Sequence, residues 1–385
     1  MHYKNNLITF FNSMEITKEL VLEALSTVND PDLKKDLVSL NMIEDVKIDG
    51  KKISFTVVLT TPACPLKEVM RKDCTQALEN KFGAGLNVDV AFDSAVTTSR
   101  LKGTNLLPGV KNIIAVASGK GGVGKSTVTS NLAVALAKTG AKVGIIDADI
   151  FGPSIPTMFG CENERPGVSP RDGKNYIQPI ENYGVKLISI GFLTSATDSM
   201  IWRGPMASSA LKQFISDADW GDLDYMLIDL PPGTSDIHLT LVQTLPVTGA
   251  IIVTTPQKVA VADAVRGIGM FKQTNIDVPI LGVVENMAYF TPAELPENKY
   301  YIFGTGGGKD LAKQFETEFL GEVPLVQGIR ESGDSGYPSA LKDGPTSVAF
   351  KSIAESMAQE VAKRNATRPT TKIVEVSNEA ACQVR

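Results

Sequence analysis

A glycine-rich loop with two lysines constrains this sequence more than any other feature. Residues 119–126 read Gly-Lys-Gly-Gly-Val-Gly-Lys-Ser, which matches the pattern G-x-x-x-x-G-K-S. An apolar run precedes the loop and a helix-like segment follows it, which is the context in which this pattern binds phosphate. A plain glycine-rich turn is the alternative, but it does not explain the complete Gly-Lys-Ser-Thr ending. The sequence therefore predicts a nucleotide-binding loop between a strand and a helix.

Each residue type in this loop has a chemical reason. Glycines let backbone N–H groups surround phosphates without a Cβ clash, and the N-terminal end of the following helix attracts anions. Lys125 offers a point charge to the β- and γ-phosphate oxygens, and Ser126 offers a hydroxyl to Mg²⁺. We therefore expect ATP and Mg²⁺ as cofactors, with nucleotide-binding residues Gly119, Lys120, Gly121, Gly122, Val123, Gly124, Lys125, Ser126 and Thr127.

From Lys111 onward, short apolar runs alternate with amphipathic segments. Continuous Val/Ile runs separated by helices are typical of a parallel sheet covered on both faces. The sequence thus predicts an α/β P-loop NTPase fold with a mostly parallel, doubly wound sheet, preceded by a small α+β domain. The predicted strands are residues 112–118, 142–149, 185–192, 225–231, 249–256, 280–287 and 319–325.

The composition pattern also divides the chain. The N-terminal region reads as helix, two strands, helix and strand, and a polar, aperiodic segment separates it from the α/β pattern. The predicted division is a possible disordered extension over 1–14, an α+β domain over 15–94, a linker over 95–110, an ATPase domain over 111–366 ending in a helix over roughly 347–366, and a flexible tail over 367–385.

Charge and cysteine content narrow the possible partners and location. The net charge of −5 and pI of about 5.3 argue against nucleic acid or an anionic membrane as a partner. No apolar run approaches the roughly 18–20 residues of a membrane span. The four cysteines include no CxxC pair, and they indicate no disulfide framework. The chain has only two histidines, His2 and His238, which argues against a zinc site built on histidine. We expect a cytoplasmic protein.

Acidic side chains end two of the predicted strands. Asp147 and Asp149 lie at the end of one strand and Asp229 at the end of another, where ligands gather in open α/β sheets. Asp229 is predicted to hold Mg²⁺ through water, although a strand-end aspartate can also merely cap a turn. Gly233 then begins a loop that is able to sense the γ-phosphate.

The second lysine of the loop, Lys120, is not needed to build the loop and is long enough to point away from it. It resembles the signature lysine of the deviant P-loop ATPases related to MinD and ParA. That resemblance implies a homodimer with ATP at its interface, which Lys120 crosses as a catalytic residue beside Lys125. It also implies that Asp149 positions the attacking water or the hydration of Mg²⁺, and that Asn286 recognises the adenine edge, unless Asn286 only caps its strand.

Further motifs narrow the resemblance to the Mrp/ApbC family. These are "SGKGGVGKST", "DADIFGPSIP", "RGPM", "DYMLIDLPPGTSD", "VTTPQKVAVADAVRGI", "GVVENMAYF" and "GIRESGDSG", and the match covers residues 105–360 nearly end to end. Members of that family are iron–sulfur cluster carriers with ATPase activity. The N-terminal unit, with "DPDLKKDLVSLNMIEDV" and "TTPACPL", is similar to the small SufT-like domain associated with iron–sulfur maturation. The resemblance implies ATP hydrolysis, a bound iron–sulfur cluster, and apo client proteins and assembly factors as partners.

The chain departs from this family at one place. The family holds a bridging [4Fe–4S] cluster with a Cys-Pro-x-Cys pair after "ENM" and an aromatic residue, whereas here Thr291 and Glu294 flank Pro292. Threonine is a poor iron ligand, and two hard glutamate oxygens do not replace four thiolates. Cys64 in "TTPACPL" is a weak alternative ligand because the N-terminus of the next helix lowers a thiol pKa. The other reading of Cys64 is a small buried apolar residue, and Cys382, Cys74 and Cys161 are weaker candidates.

Several functions therefore stay open beside an iron–sulfur cluster carrier ATPase that delivers clusters to apoproteins. One is a metal-free ATPase scaffold or chaperone for iron–sulfur or other clients. A MinD/ParA-type positioning ATPase would need a basic amphipathic terminal helix or a cationic patch, which the sequence lacks. A P-loop synthetase is a further possibility, but no loop in the sequence specifies a small-molecule pocket.

The segment "GTGGGKD" (304–310) is rejected as a second phosphate loop because it lacks the full spacing.

Overall fold

The computed structural model describes residues 16–100, 106–150, 152–171, 173–192, 204–292, 294–295 and 297–374. The chain forms two compact units, Met1–Val96 and Thr97–Arg385. The predicted extension over 1–14, Arg203 of the "RGPM" motif and Cys382 of the predicted tail lie outside the described residues. Among the residues that are described, no helix combines the length and apolar content needed to cross a membrane.

The first unit packs two helices against a three-stranded sheet. Its elements are α1 (Lys18–Leu25), β1 (Ile43–Asp49), β2 (Lys52–Leu59), α2 (Lys67–Phe82) and β3 (Asn87–Ser94). The central strand β2 pairs antiparallel with β1 and parallel with β3. Alternate β2 side chains and every fourth α2 side chain are buried together, as the periods of strand and helix require: Ile53, Phe55, Val57, Leu59, Met70, Cys74 and Leu78.

The second unit has a larger set of elements. Its strands are β4 (Val110–Ala117), β5 (Val143–Asp147), β6 (Gly167–Arg171), β7 (Lys174–Gln178), β8 (Ile180–Asn182), β9 (Val185–Ser189), β10 (Leu223–Asp229), β11 (Gly249–Thr254), β12 (Ile280–Phe290) and β13 (Phe319–Leu325). Its α-helices are α3 (Lys125–Ala137), α4 (Ile155–Met158), α5 (Gly204–Ser216), α6 (Asp236–Thr244), α7 (Lys258–Phe271), α8 (Gly307–Gln314), α9 (Gln327–Asp334) and α10 (Pro345–Thr367). Short 3₁₀ turns cover Ile190–Phe192 and Ser339–Leu341.

An eight-stranded sheet organises this unit. Its order is β13-β12-β11-β4-β10-β5-β9-β8, and every neighbouring pair is parallel except β8 with β9. The predicted mostly parallel sheet is therefore confirmed. The edge strand β8 and the separate antiparallel pair β6–β7 were not predicted, because their short polar sequences alternate too weakly to read as strands.

The sheet order determines where a ligand can bind. The connection from β4 reaches β5 across β10, whereas the connection from β10 reaches β11 across β4. Connections that leave in opposite directions open a crevice at the carboxyl ends of the strands. β4 and β10 lie side by side with Asp229 opposite Val116, so the loop after β4 and the end of β10 meet at this crevice.

The structure places the borders of the second unit differently from the predicted linker and tail. Within the predicted linker, residues 97–100 and 106–110 belong to this unit, and Arg100 is buried there with its guanidinium donating to the carbonyls of Leu106 and Leu107 at 3.0 and 2.8 Å. Thr371, in the predicted tail, pairs with Arg100 as an isolated parallel bridge. Buried arginines need carbonyl partners, and the aperiodic sequence gave no sign that these segments supply them.

Candidate functional site

The loop after β4 closes tightly around its glycines. Gly124 adopts φ +81° and precedes α3, and a Cβ added there would lie 2.1 Å from Nδ2 of Asn286. A Cβ at Gly119 would lie 2.1 Å from the backbone carbonyl carbon of Asp263 in α7. Both positions therefore require glycine, one for its left-handed backbone and the close approach of Asn286, the other for contact with the neighbouring helix.

A hydrogen-bonded charge cluster lies at the start of α3. Asp229, fully buried at the end of β10, accepts from the hydroxyls of Ser126 at 2.5 Å and Thr129 at 2.7 Å. The Lys125 ammonium is 2.8 Å from the Asp229 carboxylate and 3.2 Å from the Ser126 hydroxyl. The structure thus brings the three predicted side chains Lys125, Ser126 and Asp229 into direct contact and adds Thr129, one helical turn after Lys125.

A second carboxylate, Asp147, lies opposite Asp229 in the adjacent strand β5. It is fully buried and accepts from the Ser189 hydroxyl at 2.8 Å and from the N–H of Asp149 at 3.2 Å. Burial first, and then the charge of Asp229, raises the pKa of Asp147 to about 8. Asp149 instead directs its carboxylate to Lys125 Nζ at 3.5 Å.

A small cavity lies beside the glycine-rich loop, and Lys120 lines it. The Gly233 N–H donates to the carbonyl of Ser118 at 2.9 Å, which holds the loop after β10 against the glycine-rich loop. The cavity measures about 200 Å³ and is lined by residues 120–127 together with Asp149 and Pro232. Within the described part of the chain, the half-buried Lys120 makes no ion pair.

A larger cavity of about 660 Å³ continues from the glycine-rich loop toward β13 and α9. Gly124 and Thr127 border both cavities, and Asn286 and Met287 line the larger one. The Asn286 amide donates to the carbonyl of Val123 at 2.8 Å, so its nitrogen is used to hold the loop. The opposite wall is formed by Pro324, Leu325, Val326, Ile329 and Arg330. It was not predicted, because the motif "GIRESGDSG" that contains Ile329 and Arg330 supported only the family resemblance and assigned no residue a role.

The helix that follows Gly233 begins with an unusual cap. Ser235 and His238 form a reciprocal capping box at the start of α6, with the Ser235 N–H donating to His238 Nδ1 at 3.2 Å. His238 is 1% exposed, and its Nε2 has no hydrogen-bond partner among the described residues. Burial lowers the pKa of His238 to about 4, so this side chain is neutral at physiological pH.

Comparison with known proteins identifies the architecture around this site. The profile described as ParA, the NUBPL iron-transfer P-loop NTPase, matches residues 109–361. This chain belongs to that family. The profile described as iron-sulfur cluster assembly protein matches residues 18–90, in the first unit of this iron-transfer P-loop NTPase. The predicted family resemblance and P-loop fold are therefore confirmed.

Relatives extend over nearly the whole P-loop NTPase chain. The iron-sulfur cluster carrier protein of Synechocystis sp. is 47% identical over 349 residues, which covers 90% of this chain and 98% of the relative. That of Escherichia coli K12 is 43% identical over 351 residues, covering 91% and 94%. A nucleotide-binding protein from Archaeoglobus fulgidus, solved in complex with ADP, is 40% identical with a TM-score of 0.53, covering 62% of this chain and 91% of that one.

The cysteines of this P-loop NTPase do not form a reactive set in the described residues. Cys64 was predicted to have a lowered pKa before α2, and this prediction is wrong. Burial is the main cause that raises the Cys64 pKa, and the nearby carboxylates of Asp32 and Asp30 raise it further, against the opposing backbone N–H of Leu66. Cys74 and Cys161 are buried, and their pKa values rise to about 12.

Proposed function

We propose that this protein binds Mg²⁺–ATP, hydrolyses it slowly, and uses the cycle to deliver iron–sulfur clusters to apoproteins. The observation that supports this most is the contact of Lys125, Ser126 and Asp229 beside the glycine-rich loop. An ammonium, a hydroxyl and a carboxylate are the groups that a phosphate chain and its magnesium ion require. The names of the relatives supply the cargo, since the Synechocystis and Escherichia coli proteins compared above are both named iron-sulfur cluster carrier protein.

The donor set fits Mg²⁺. The Asp229 carboxylate and the Ser126 hydroxyl are hard oxygen ligands 2.5 Å apart, and Ser126 lines the small cavity. When bound, Mg²⁺ would neutralise charge on the β- and γ-phosphate oxygens. The Lys125 ammonium lies 2.8 Å from the Asp229 carboxylate, and it would also neutralise the β- and γ-phosphate oxygens of a nucleotide bound at this loop.

The remaining predicted residues take complementary roles in this proposal. The backbone N–H groups of residues 119–127 bind the phosphates, Asp149 orients the attacking water, and Gly233 responds to the γ-phosphate through its link to Ser118. The larger cavity, of about 660 Å³ and with Asn286 on its wall, would hold the nucleoside. Catalysis is then positioning and charge neutralisation of phosphoryl transfer to water, without a covalent intermediate.

Lys120 and a homodimer complete the proposal. A half-buried lysine that makes no ion pair in the described part of the chain has an ammonium available for a phosphate outside its own loop. We therefore place ATP between two copies of this chain in the cytoplasm. Lys120→Ala should leave folding intact and reduce hydrolysis, and sedimentation with ATP should show a dimer. A fully active monomeric wild type would contradict this role of Lys120.

The decisive experiment compares Lys125→Ala with Lys138→Ala, a control at the other end of α3 whose ammonium donates to the carbonyl of Ala340. Phosphate release and ATP binding should be lost in Lys125→Ala and retained in Lys138→Ala. Hydrolysis that is unchanged in Lys125→Ala would refute the assigned nucleotide site. Activation of an apo iron–sulfur enzyme in the same samples tests the cargo, because it should require hydrolysis by the wild type.

A further inference from the structure

The loop after β12 has a closed backbone frame. Phe290 and Tyr300 exchange both backbone hydrogen bonds at 2.8 Å, which closes the segment between them. Inside it, the Leu295 N–H donates to the carbonyl of Pro292 at 3.2 Å. Thr291 is half-buried at the start of this loop and Glu294 is exposed at its tip. The loop is therefore held by the backbone and does not need a metal to close it.

Aromatic packing occupies the flank of the same loop. The Tyr289 and Tyr301 rings meet edge to face with centroids 6.3 Å apart, and the Lys299 ammonium lies 4.1 Å over the Tyr289 ring. Cation–π and aromatic contacts of this kind stabilise an exposed loop. Side-chain packing thus stabilises this loop, whereas thiolate–iron bonds would stabilise a loop that binds a cluster.

The donor chemistry of the described residues does not suit a cluster. Iron–sulfur clusters take thiolate ligands, four for a [4Fe–4S] centre. Across residues 16–374, apart from the undescribed gaps, no group of three or more His, Cys, Asp and Glu side chains is arranged to hold a metal ion. The described thiols are spread over the chain, and none is in the closed loop: Cys64, Cys74 and Cys161.

The individual thiols are also poor ligands. Cys74 is 0% exposed in the core of the first unit, and Cys161 is 1% exposed with its thiol directed at the carbonyl of Pro156 at 3.5 Å. Burial raises the pKa of all three thiols, so the thiolate form that binds iron is disfavoured. Even in a homodimer, two copies of the partly exposed Cys64 would supply only two of four ligands.

We infer that this chain keeps the frame of a cluster loop but not its ligands, so that an iron–sulfur cluster handled by the protein stays on thiolates of the partner protein. This inference rests on the proposed function, because it concerns how the same cargo is held. The partner is defined by its chemistry: a protein that presents cysteine thiolates to iron. This chain would contribute nucleotide-dependent docking while the cluster remains on ligands that the partner supplies.

The test is anaerobic reconstitution of the full chain with ferrous iron and sulfide, followed by gel filtration. The wild type should retain no more iron, sulfide or visible absorption than a Thr291→Ser/Glu294→Ser control. A Thr291→Cys/Glu294→Cys variant should gain about two iron atoms per chain, as a [4Fe–4S] cluster shared by two copies requires. After mixing with an iron-loaded ferredoxin that has four ligating cysteines, iron should elute with the ferredoxin and never with the separated wild-type chain.

Several results would overturn the inference. A cluster on the wild type that Cys64→Ser or Cys382→Ser removes would show that this chain supplies the ligands, and so would a cluster that survives both substitutions. Failure of the double-cysteine variant to gain iron would show that the loop lacks the frame as well as the thiolates. Phosphate release from the same wild-type preparation reports the proposed function separately, so loss of hydrolysis and presence of a cluster are distinguishable failures.

Discussion

The buried His238 should make the stability of the second unit depend on pH. Its pKa falls from an ordinary value of 6.5 to about 4, mainly because burial disfavours the charged ring, and the charge of Lys125 adds to this. The unfolded chain therefore binds a proton more readily than the folded one between these pH values. The stabilising contribution is complete above about pH 6.5 and is lost progressively as pH falls through 4.

The magnitude follows from the two pKa values. Each pKa unit corresponds to about 1.4 kcal/mol, so a shift from 6.5 to about 4 amounts to about 3 kcal/mol at most. Between pH 7.5 and pH 5 the linkage relation gives a loss of about 2 kcal/mol in the free energy of unfolding. His238→Gln should remove this loss, because glutamine at the same position completes a capping box with Ser235 but does not titrate.

Urea unfolding followed by tryptophan fluorescence measures the stability of the second unit, since Trp220 is buried in that unit and the sequence of the first unit contains no tryptophan. The difference between wild type and His238→Gln isolates His238, because all other titrating groups are shared. The wild type should lose about 2 kcal/mol more than the variant between pH 7.5 and pH 5. Parallel pH profiles of the two proteins would refute the assignment of a neutral, buried histidine.

Further perturbations address the nucleotide site and the core. Gly124→Ala places a methyl 2.1 Å from Asn286 Nδ2 and should abolish binding of a fluorescent ATP analogue, whereas Gly122→Ala, with the same φ of +81° and no atom within 4 Å, should weaken it far less. Phe350→Ala, at a fully buried site in α10, should lower the free energy of unfolding in urea by about 3–5 kcal/mol. EDTA should stop phosphate release by the wild type, and Asp229→Asn should raise the Mg²⁺ concentration needed for release.

Parallel strands and their polar ends could be predicted from sequence because each depends on local signals. Continuous apolar runs predicted β4, β5, β9, β10, β11, β12 and β13, and the strand-end rule pointed to Asp229. The same rule also applied to Asp147, but the family resemblance assigned a role only to Asp149. Only the register of β5 against β10, which no local pattern encodes, shows that Asp147 is the carboxylate buried opposite Asp229.

Cys64 shows where local reasoning fails. A cysteine just before a helix predicts a lowered pKa if the helix dipole is the dominant influence. In the structure, burial has the opposite and larger effect, and Asp30 and Asp32 add negative charge from a segment more than thirty residues earlier in the chain. Burial and distant charge are properties of the tertiary fold, so a sequence window around Cys64 does not contain them.

For the glycines of residues 304–310, the structure gives a physical reason for an inference that the sequence already supported, namely that this segment is not a phosphate loop. These residues were rejected as a phosphate loop because they lack the full spacing and a Ser/Thr after the lysine. In the structure the start of α8 already has an anion, because the buried Glu285 carboxylate of β12 accepts the Gly308 N–H. A Cβ at Gly308 would lie 2.9 Å from the Glu285 side chain, and one at Gly307 would lie 2.6 Å from the carbonyl of Pro256. The glycines thus allow an internal carboxylate to occupy the start of α8, the position that we propose for phosphate at the start of α3, and this glycine-rich turn serves packing.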